Sequence, residues 1–165
     1  MLGMVHNDSA ETYEGAGVHA SFVDDEGRGH GPVDVFCPAP FLLPDAECPF
    51  ALEIYGTDYV ACRLHPRGFP AVSGQPAPLA VRVISVSSDV GGDVRITGVA
   101  ANENPFGVKR GTIVGMLLDR EGQVVGLGWT LLFDDLAAGA SEPFDLRIDY
   151  QPYSRYRVYG QGARD

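Results

Sequence analysis

Tyrosine and arginine side chains cluster near the C-terminal end of the chain, in the segment best suited to bind another molecule. The cluster comprises Tyr150, Tyr153, Arg155, Tyr156, Arg157 and Tyr159. Both residue types combine apolar surface with hydrogen-bonding tips and dominate the energetics of protein contacts. Alternate side chains of a strand share a face, so we expect a partner-binding surface formed by Tyr153, Arg155, Arg157 and Tyr159. Tyr156 and Val158 would then face the core. Ordinary surface tyrosines stacked on arginines would give the same pattern.

Catalytic and metal-binding patterns are missing from the sequence. Catalysis needs a nucleophile beside a base, paired carboxylates or a metal cage. The chain has no GxSxG, HExxH or GxxxxGK[ST] motif. Its histidines are scattered through the first half of the chain: His6, His19, His30 and His65. We therefore predict a protein that is not an enzyme and that has no cofactor and no metal site.

The three cysteines, Cys37, Cys48 and Cys62, have no zinc-site spacing. Cys62 shares one face of an extended segment with Val60 and Leu64, which predicts a buried thiol acting as a small apolar group. Cys37 and Cys48 flank a short loop. They are either two free thiols or a disulfide, and a disulfide would indicate an oxidising compartment.

The acidic character of the chain excludes several partners. A net charge of -10 and a pI near 4.7 disfavour both nucleic acid and anionic membrane surfaces. No apolar stretch approaches the roughly 20 residues that span a bilayer, so we expect no direct membrane insertion. The first residues lack the features of a secretory signal. The localisation is therefore left open by these features, and a protein partner is the expected ligand.

The elements that position these residues are duplicated. Five residues, Gly3, Asn7, Asp24, Glu26 and Gly27, reappear 95 positions later as Gly98, Asn102, Asp119, Glu121 and Gly122. After one deleted residue the match resumes at an offset of 94, where Pro49-Phe50 returns as Pro143-Phe144. We interpret the shared residues as scaffold. Any particular function should lie in what the two copies do not share.

Short alternating apolar runs bounded by Gly, Pro and Asp predict antiparallel strands throughout and no helix. Asp24 and Gly27, like Asp119 and Gly122, suit tight turns between strands; calcium binding by these acidic turns is the less favoured interpretation. Six or seven strands in about 80 residues are typical of a sandwich. We predict an all-β chain with two tandem immunoglobulin-like antiparallel β-sandwich domains, residues 1–66 and 79–165, joined by a Pro/Gly linker, residues 67–78.

The second copy also carries family-like motifs. Residues 98–102 (GVAAN), 114–126 (VGMLLDREGQVVG) and 136–139 (LAAG), followed by Pro143-Phe144, resemble the FxLYD family of bacterial and archaeal immunoglobulin-like domains. Gly115 and Ala20 stand where the leading Phe of the family motif would be. The resemblance implies an interaction or spacer module without catalytic residues. It also implies a place at the periphery of a membrane or envelope.

The first copy lacks one predicted strand. The second copy begins with an alternating strand at residues 79–86, whereas Met1 already belongs to the equivalent of the next strand. An unpaired edge exposes backbone N–H and C=O groups and invites another strand. We expect this edge to be covered by the linker folding back or by a segment of a partner. The predicted partner-binding residues on it are Met1, Met4 and His6.

Two functions follow. The leading one is a non-catalytic structural protein, a peripheral subunit that binds and stabilises a larger membrane or envelope protein assembly through its sheet edges and Tyr/Arg surface. The alternative is a carbohydrate-binding or accessory module acting beside an enzyme, which would need an exposed aromatic platform. Trp129, the single tryptophan, is expected in the core or on a sheet face.

Overall fold

The computed structural model describes residues 1–54, 59–72, 74–88 and 91–164, and it confirms the all-β prediction. Within those ranges the chain forms twelve strands and no helix. The strands are β1 (Leu2–His6), β2 (Tyr13–Asp24), β3 (Gly29–Phe36), β4 (Phe41–Leu42), β5 (Glu47–Ala51), β6 (Tyr59–Pro70), β7 (Pro76–Ser88), β8 (Val94–Ala101), β9 (Val108–Leu118), β10 (Val124–Leu131), β11 (Ser141–Ile148) and β12 (Arg155–Arg164).

The strands form several antiparallel sheets. In the first half of the molecule, β1–β6, strand β1 pairs with β5, and β2 pairs with β3, β4 and β6. In the second half, β7–β12, one sheet runs in the order β10-β9-β12-β7-β8-β11. Strand β7 joins its two sides, because it pairs with β12 at its start and with β8 over the rest of its length.

Strand pairings recur between the halves in the same register. Gly17 lies opposite Arg67 on β2 and β6, and Thr112 lies opposite Gln161 on β9 and β12, at the offsets of 95 and 94 seen in the sequence. The strand pair β1–β5 likewise corresponds to β8–β11. The equivalence of positions is therefore a property of the structure as well as of the sequence.

The shared glycines of β1 and β8 allow an aromatic ring to cover the sheet. Gly3 lies opposite Phe50, and Gly98 lies opposite Phe144. A Cβ atom on either glycine would come within 2.6 Å of the facing ring. The close approach explains why Gly and the distant Phe return together in both copies.

A buried asparagine side chain joins three segments in each half. Asn102 Nδ2 donates hydrogen bonds to the carbonyl oxygens of Phe106 and Leu136, at 2.8 and 2.9 Å, and its Oδ1 accepts one from the Asn104 N–H. Asn7 Nδ2 likewise donates to the carbonyls of Glu11 and Leu42. In each half these bonds join backbone carbonyls of separate segments to one buried amide.

The acidic turns form as predicted. Asp24 Oδ1 accepts the N–H of Arg28 at 2.8 Å, and Asp119 Oδ1 accepts that of Gln123 at 2.7 Å. The glycines at both turns have positive φ. A hydrogen bond from the His30 ring, with others from Arg28, lowers the pKa of Asp24 to about 2.

The region predicted as a linker, residues 67–78, contributes to two strands. β6 continues to Pro70 and β7 begins at Pro76. Between them, the Ala71 N–H donates to the Thr12 carbonyl at 2.8 Å, which holds the chain beside the start of β2. This path carries the backbone from the first half directly into β7.

The two halves also pack on each other. One hydrophobic cluster fills the second half, and another fills the first half and includes Val114 of β9. Leu127 and Tyr159 of the second half pack against that same cluster. The Phe41 N–H donates to Gln161 Oε1 at 2.9 Å across the contact. The outer face of the β9–β12 pair is therefore partly covered by the first half.

Replacing Asn102 or Asn7 by alanine should destabilise the protein, because several buried carbonyls would lose their donors. We expect the free energy of unfolding to fall by roughly 3 kcal/mol for either variant. Denaturant unfolding followed by intrinsic fluorescence measures this change. Glu103→Ala, on the exposed neighbour of Asn102, should change stability by less than about 0.5 kcal/mol. Wild-type stability of Asn102→Ala would contradict the assigned role.

Candidate partner-binding site

Strand β7 is seated between the two sides of the second half. Ala80 and Val81 lie opposite residues of β8, whereas Ala77 and Leu79 lie opposite Gly162 and Gly160 of β12. The side chains of Ala77 and Leu79 are buried in the hydrophobic cluster of this half. β7 therefore closes the core as well as pairing at both edges.

Two further contacts hold β7 in place. The Asn104 amide donates to the Pro78 carbonyl at 2.9 Å, which links β7 to the buried asparagine network. Leu79 packs closely against the backbone of Gly111 and Gly160. A Cβ atom on Gly111 would lie 3.2 Å from Leu79 Cδ1, and one on Gly160 would lie 3.0 Å from Leu79 Cβ. The seat of β7 is thus built from small residues.

The first half has no strand at this place in the described part of the chain. There β1 pairs with β5, β6 pairs with β2, and no described strand pairs with both β1 and β6. A cavity of about 290 Å³, here called the β1–β6 cleft, lies between the end of β1 and the end of β6. Val5 and Gly68 are among the residues that line it.

The cleft lining corresponds to the seat of β7. The equivalent residues, at offsets of 95 and 94, are Val5 and His6 for Ala100 and Ala101, Ser9 for Asn104, Tyr13 for Val108, Ala16 for Gly111, and Pro66 and Gly68 for Gly160 and Gly162. Each second-half residue in this set pairs with β7, bonds to it or lines its seat or the core cluster beside it. The β1–β6 cleft therefore lies where a first-half equivalent of β7 would lie.

Equivalent residues of β12 and β6 differ in solvent exposure, as expected if no strand covers the β1–β6 cleft. On β12, Gly160 is buried and Ala163 is 4% exposed. On β6, the equivalent Pro66 is exposed and Phe69 is 59% exposed. Apolar surface that the second half buries is therefore left in contact with solvent in the first half.

The linker does not cover this edge within the described residues. Gly74 lies against the Phe41 ring and the Glu14 carboxylate, and Ala71 bonds to Thr12. These contacts place the linker beside β2 and β4, whereas β5 is the described strand that pairs with β1. Of the two predicted coverings, the linker folding back therefore does not fill the β1–β6 cleft within the described residues.

The predicted partner-binding residues of β1 face different surroundings. His6 is exposed and lines the β1–β6 cleft. Met4 is half-buried and lines a groove shared with Arg157 of the second half. Met1 is exposed, and its amino group donates to the Leu52 carbonyl at 2.7 Å. Only His6 of the three therefore reaches the cleft.

The Tyr/Arg surface is divided between solvent and the contact of the two halves. Arg155, Arg157 and Tyr159 share a face, as predicted, opposite Leu118, Met116 and Val114 of β9. Tyr159 packs against the first-half core, while Tyr153 and both arginines are exposed. Tyr156 was expected in the core but is 44% exposed, because the start of β12 is not covered there. Val158 packs against the second-half core, as expected.

Cys62 is exposed, so the prediction of a buried thiol is wrong. It lies opposite the buried Phe22, on the predicted face of β6. The equivalent residue of β12, Tyr156, is also exposed, because in both halves this end of the strand extends beyond the elements that could cover it. Strand periodicity indicates the face of a residue but not what packs on that face.

Cys37 and Cys48 are free and buried side by side in the first-half core. A hydrogen bond that the Cys37 thiol donates to Cys48, together with burial, raises the pKa of Cys37. Burial and the neighbouring Cys48 raise the pKa of Tyr159, whose hydroxyl has no hydrogen-bond partner of ordinary geometry. The packing of Tyr159 against the cluster that contains Cys37 and Cys48 joins the two halves on the β5 side of β1, away from the cleft.

Sequence reasoning missed a second concave surface. Trp129 is 54% exposed, and it lines a cleft of about 780 Å³ with Leu131, Phe133 and residues of β8 and β11. Glu142 and Asp145 also line this cleft. Alternation along β10 places Trp129 and Leu131 on one face, which is the only signal that could have predicted it.

The described residues contain no group of three or more metal-ligating side chains. They also contain no helix that is long and apolar enough to cross a bilayer. No model of a protein family matches the chain, and a search of curated proteins finds no similar sequence.

Thiol reactivity should distinguish the three cysteines. In the folded protein we expect Cys62 alone to react rapidly with a thiol-specific reagent, because reagents need an accessible thiolate. Three thiols should react in denaturant. Absorbance from Ellman's reagent counts them, and Cys62→Ser should remove the rapid phase. Rapid reaction of Cys37 or Cys48 would contradict their burial.

Proposed function

We propose that the chain is a non-catalytic binding protein that accepts an extended segment of a partner protein in the β1–β6 cleft. It would consist of two tandem immunoglobulin-like β-sandwiches of the FxLYD type, the first of which has no leading strand among the described residues. One observation carries the proposal. The residues that line the cleft are equivalent to those that hold β7 in the second half.

Strand addition would satisfy both kinds of group that the cleft exposes. Backbone N–H and C=O groups on the free edge of β1 would gain partners, each contributing about 0.5–1.5 kcal/mol. Apolar surface at Pro66 and Phe69 would be removed from water. A bound segment would then add stability to both proteins, which is the role of a structural subunit.

The remaining surface of the second half supports binding to a large assembly. Tyr153, Arg155 and Arg157 are exposed beside the contact of the two halves. They offer a second contact area for the protein that supplies the segment. We infer from the FxLYD resemblance that this partner belongs to a membrane or envelope assembly, with the present chain at its periphery.

The second candidate function is carbohydrate binding at the Trp129 cleft. An exposed indole face can stack on the C–H groups of a sugar ring, and carboxylates such as Glu142 and Asp145 can accept hydrogen bonds from its hydroxyls. This interpretation is favoured by the exposure of Trp129 and Phe133 in one concave surface. It does not involve the β1–β6 cleft.

Filling the cleft in cis tests the leading proposal. A copy of residues 76–95 is joined to Met1, since the offset of 95 places that residue next after Arg95. We expect the melting temperature to rise by roughly 4 °C or more and hydrogen exchange of the β1 amides to slow. The same fusion should no longer retain the protein that co-purifies with the wild-type chain from its native source.

The matched control carries Ala77→Asp and Leu79→Asp in the added copy, because buried carboxylates cannot replace apolar side chains there. This control fusion should have the melting temperature and the β1 amide exchange rates of the wild-type chain, and it should still retain the co-purifying protein. Equal behaviour of the control, of this fusion and of a fusion whose added copy carries Leu79→Ala would overturn the strand-acceptor proposal.

Glycan binding tests the second candidate. Screening a panel of immobilised oligosaccharides, followed by titration calorimetry, should show binding that Trp129→Ala weakens and Tyr153→Ala retains. Loss of a stacked indole would weaken binding by about tenfold or more, in line with the value of an aromatic contact. Absence of binding to any glycan, or equal binding by Trp129→Ala, would remove this candidate.

A further inference from the structure

We propose that the partner segment in the β1–β6 cleft presents small, uncharged side chains to the core, of the size of alanine or serine, at both positions where β7 presents Ala77 and Leu79. This inference rests on the proposed function and identifies the chemistry of the partner. The occupant is thus an extended segment of another protein with small residues two positions apart on its inward face.

Size is the first reason. In the second half, the space for Leu79 exists because Gly111 and Gly160 have no side chains. A Cβ atom at Gly111 would lie 3.2 Å from Leu79 Cδ1, an atom that alanine lacks, and one at Gly160 would lie 3.0 Å from Leu79 Cβ, an atom that alanine also has. In the first half the equivalent residues are Ala16 and Pro66, which carry those atoms. Pro66 would therefore crowd the Cβ atom of any residue in the same register, whereas Ala16 would crowd the end of a leucine side chain and not an alanine.

The other walls narrow the cleft further. Tyr13 replaces Val108 and Val5 replaces Ala100. Both changes add volume, so none of the four exchanges makes room for a larger occupant. Overpacking of a core is destabilising, so a bulky inward residue of the partner would weaken the complex.

The second inward position keeps its original geometry. Ala77 lies opposite Gly162 in the second half, and the equivalent residue in the first half is Gly68, which is again a glycine. A small residue therefore fits there in both halves. Charged side chains are excluded at both positions, because Val5, Ala16 and Leu42 surround the buried part of the cleft with apolar groups.

Charge near the cleft leaves the outward face of the segment less restricted. The Arg67 guanidinium is paired with the Asp34 carboxylate and lies over the rings of Phe36 and Phe69. It is therefore not a free cation awaiting an acidic partner. Recognition in the cleft depends on backbone pairing and on side-chain size.

Three fusions test the size rule. Each carries a copy of residues 76–95 before Met1, with the added Leu79 kept, changed by Leu79→Ala, or changed by Leu79→Asp. We expect the alanine fusion to melt roughly 4 °C above the leucine fusion, and the aspartate fusion to melt with the unfused chain. Differential scanning calorimetry and hydrogen exchange at β1 report the order.

An enlarged cleft provides the complementary test. In a host chain with Ala16→Gly, the first half regains the space that Gly111 leaves in the second half. The melting temperature of the leucine fusion should then rise relative to that of the alanine fusion. The comparison is made within each host, which removes the intrinsic cost of the glycine. This exchange of preference would be hard to explain by strand propensity alone.

The outcomes separate the two proposals. A higher melting temperature for the alanine fusion than for the leucine fusion in the normal host, together with a shift of this preference in the Ala16→Gly host, supports the size rule. If the leucine fusion melts at or above the temperature of the alanine fusion, and both melt above the unfused chain, the size rule is overturned and the strand-acceptor function still stands. Melting of all three fusions with the unfused chain overturns the proposed function itself.

Discussion

The buried asparagine amide is the interaction on which each half depends. Asn7 and Asn102 bind carbonyl oxygens from two segments, one only four residues along the chain, before β2 or β9, and one remote in sequence, around residue 42 or 136. Buried backbone groups without partners are costly, so the three segments are fixed together. In the second half Asn104 extends this network to the Pro78 carbonyl. The same arrangement thus shapes the core and the seat of β7.

This dependence explains how the first half keeps its form without an equivalent of β7 among the described residues. Its asparagine network is complete by itself, because Ser9 donates both its N–H and its hydroxyl to Asn7 Oδ1. The core on the other side of β1 is closed by Cys48 and Phe50 and by Tyr159 of the second half. The β1–β6 cleft is therefore a local opening in a framework that is bonded elsewhere.

Local features were predictable from sequence, whereas burial was not. The turn at Asp24, the facing Gly3 and Phe50, and the alternation of Arg155, Arg157 and Tyr159 depend on neighbours in the chain or on the repeat. Exposure of Cys62 and packing of Tyr159 against the other half depend on distant elements, which periodicity does not encode. The repeat indicated the missing strand, but only coordinates show the cleft.

The two edges of the cleft are protected unequally, and this bears on selectivity. β6 contains Pro66 and Pro70, which cannot donate to a ladder and are typical of edges guarded against indiscriminate pairing. β1 has no proline but is only five residues long. Under the proposed function, a short acceptor edge beside a narrowed core would restrict binding to segments that satisfy backbone and side-chain requirements together. Both restrictions would then favour a specific partner over self-association.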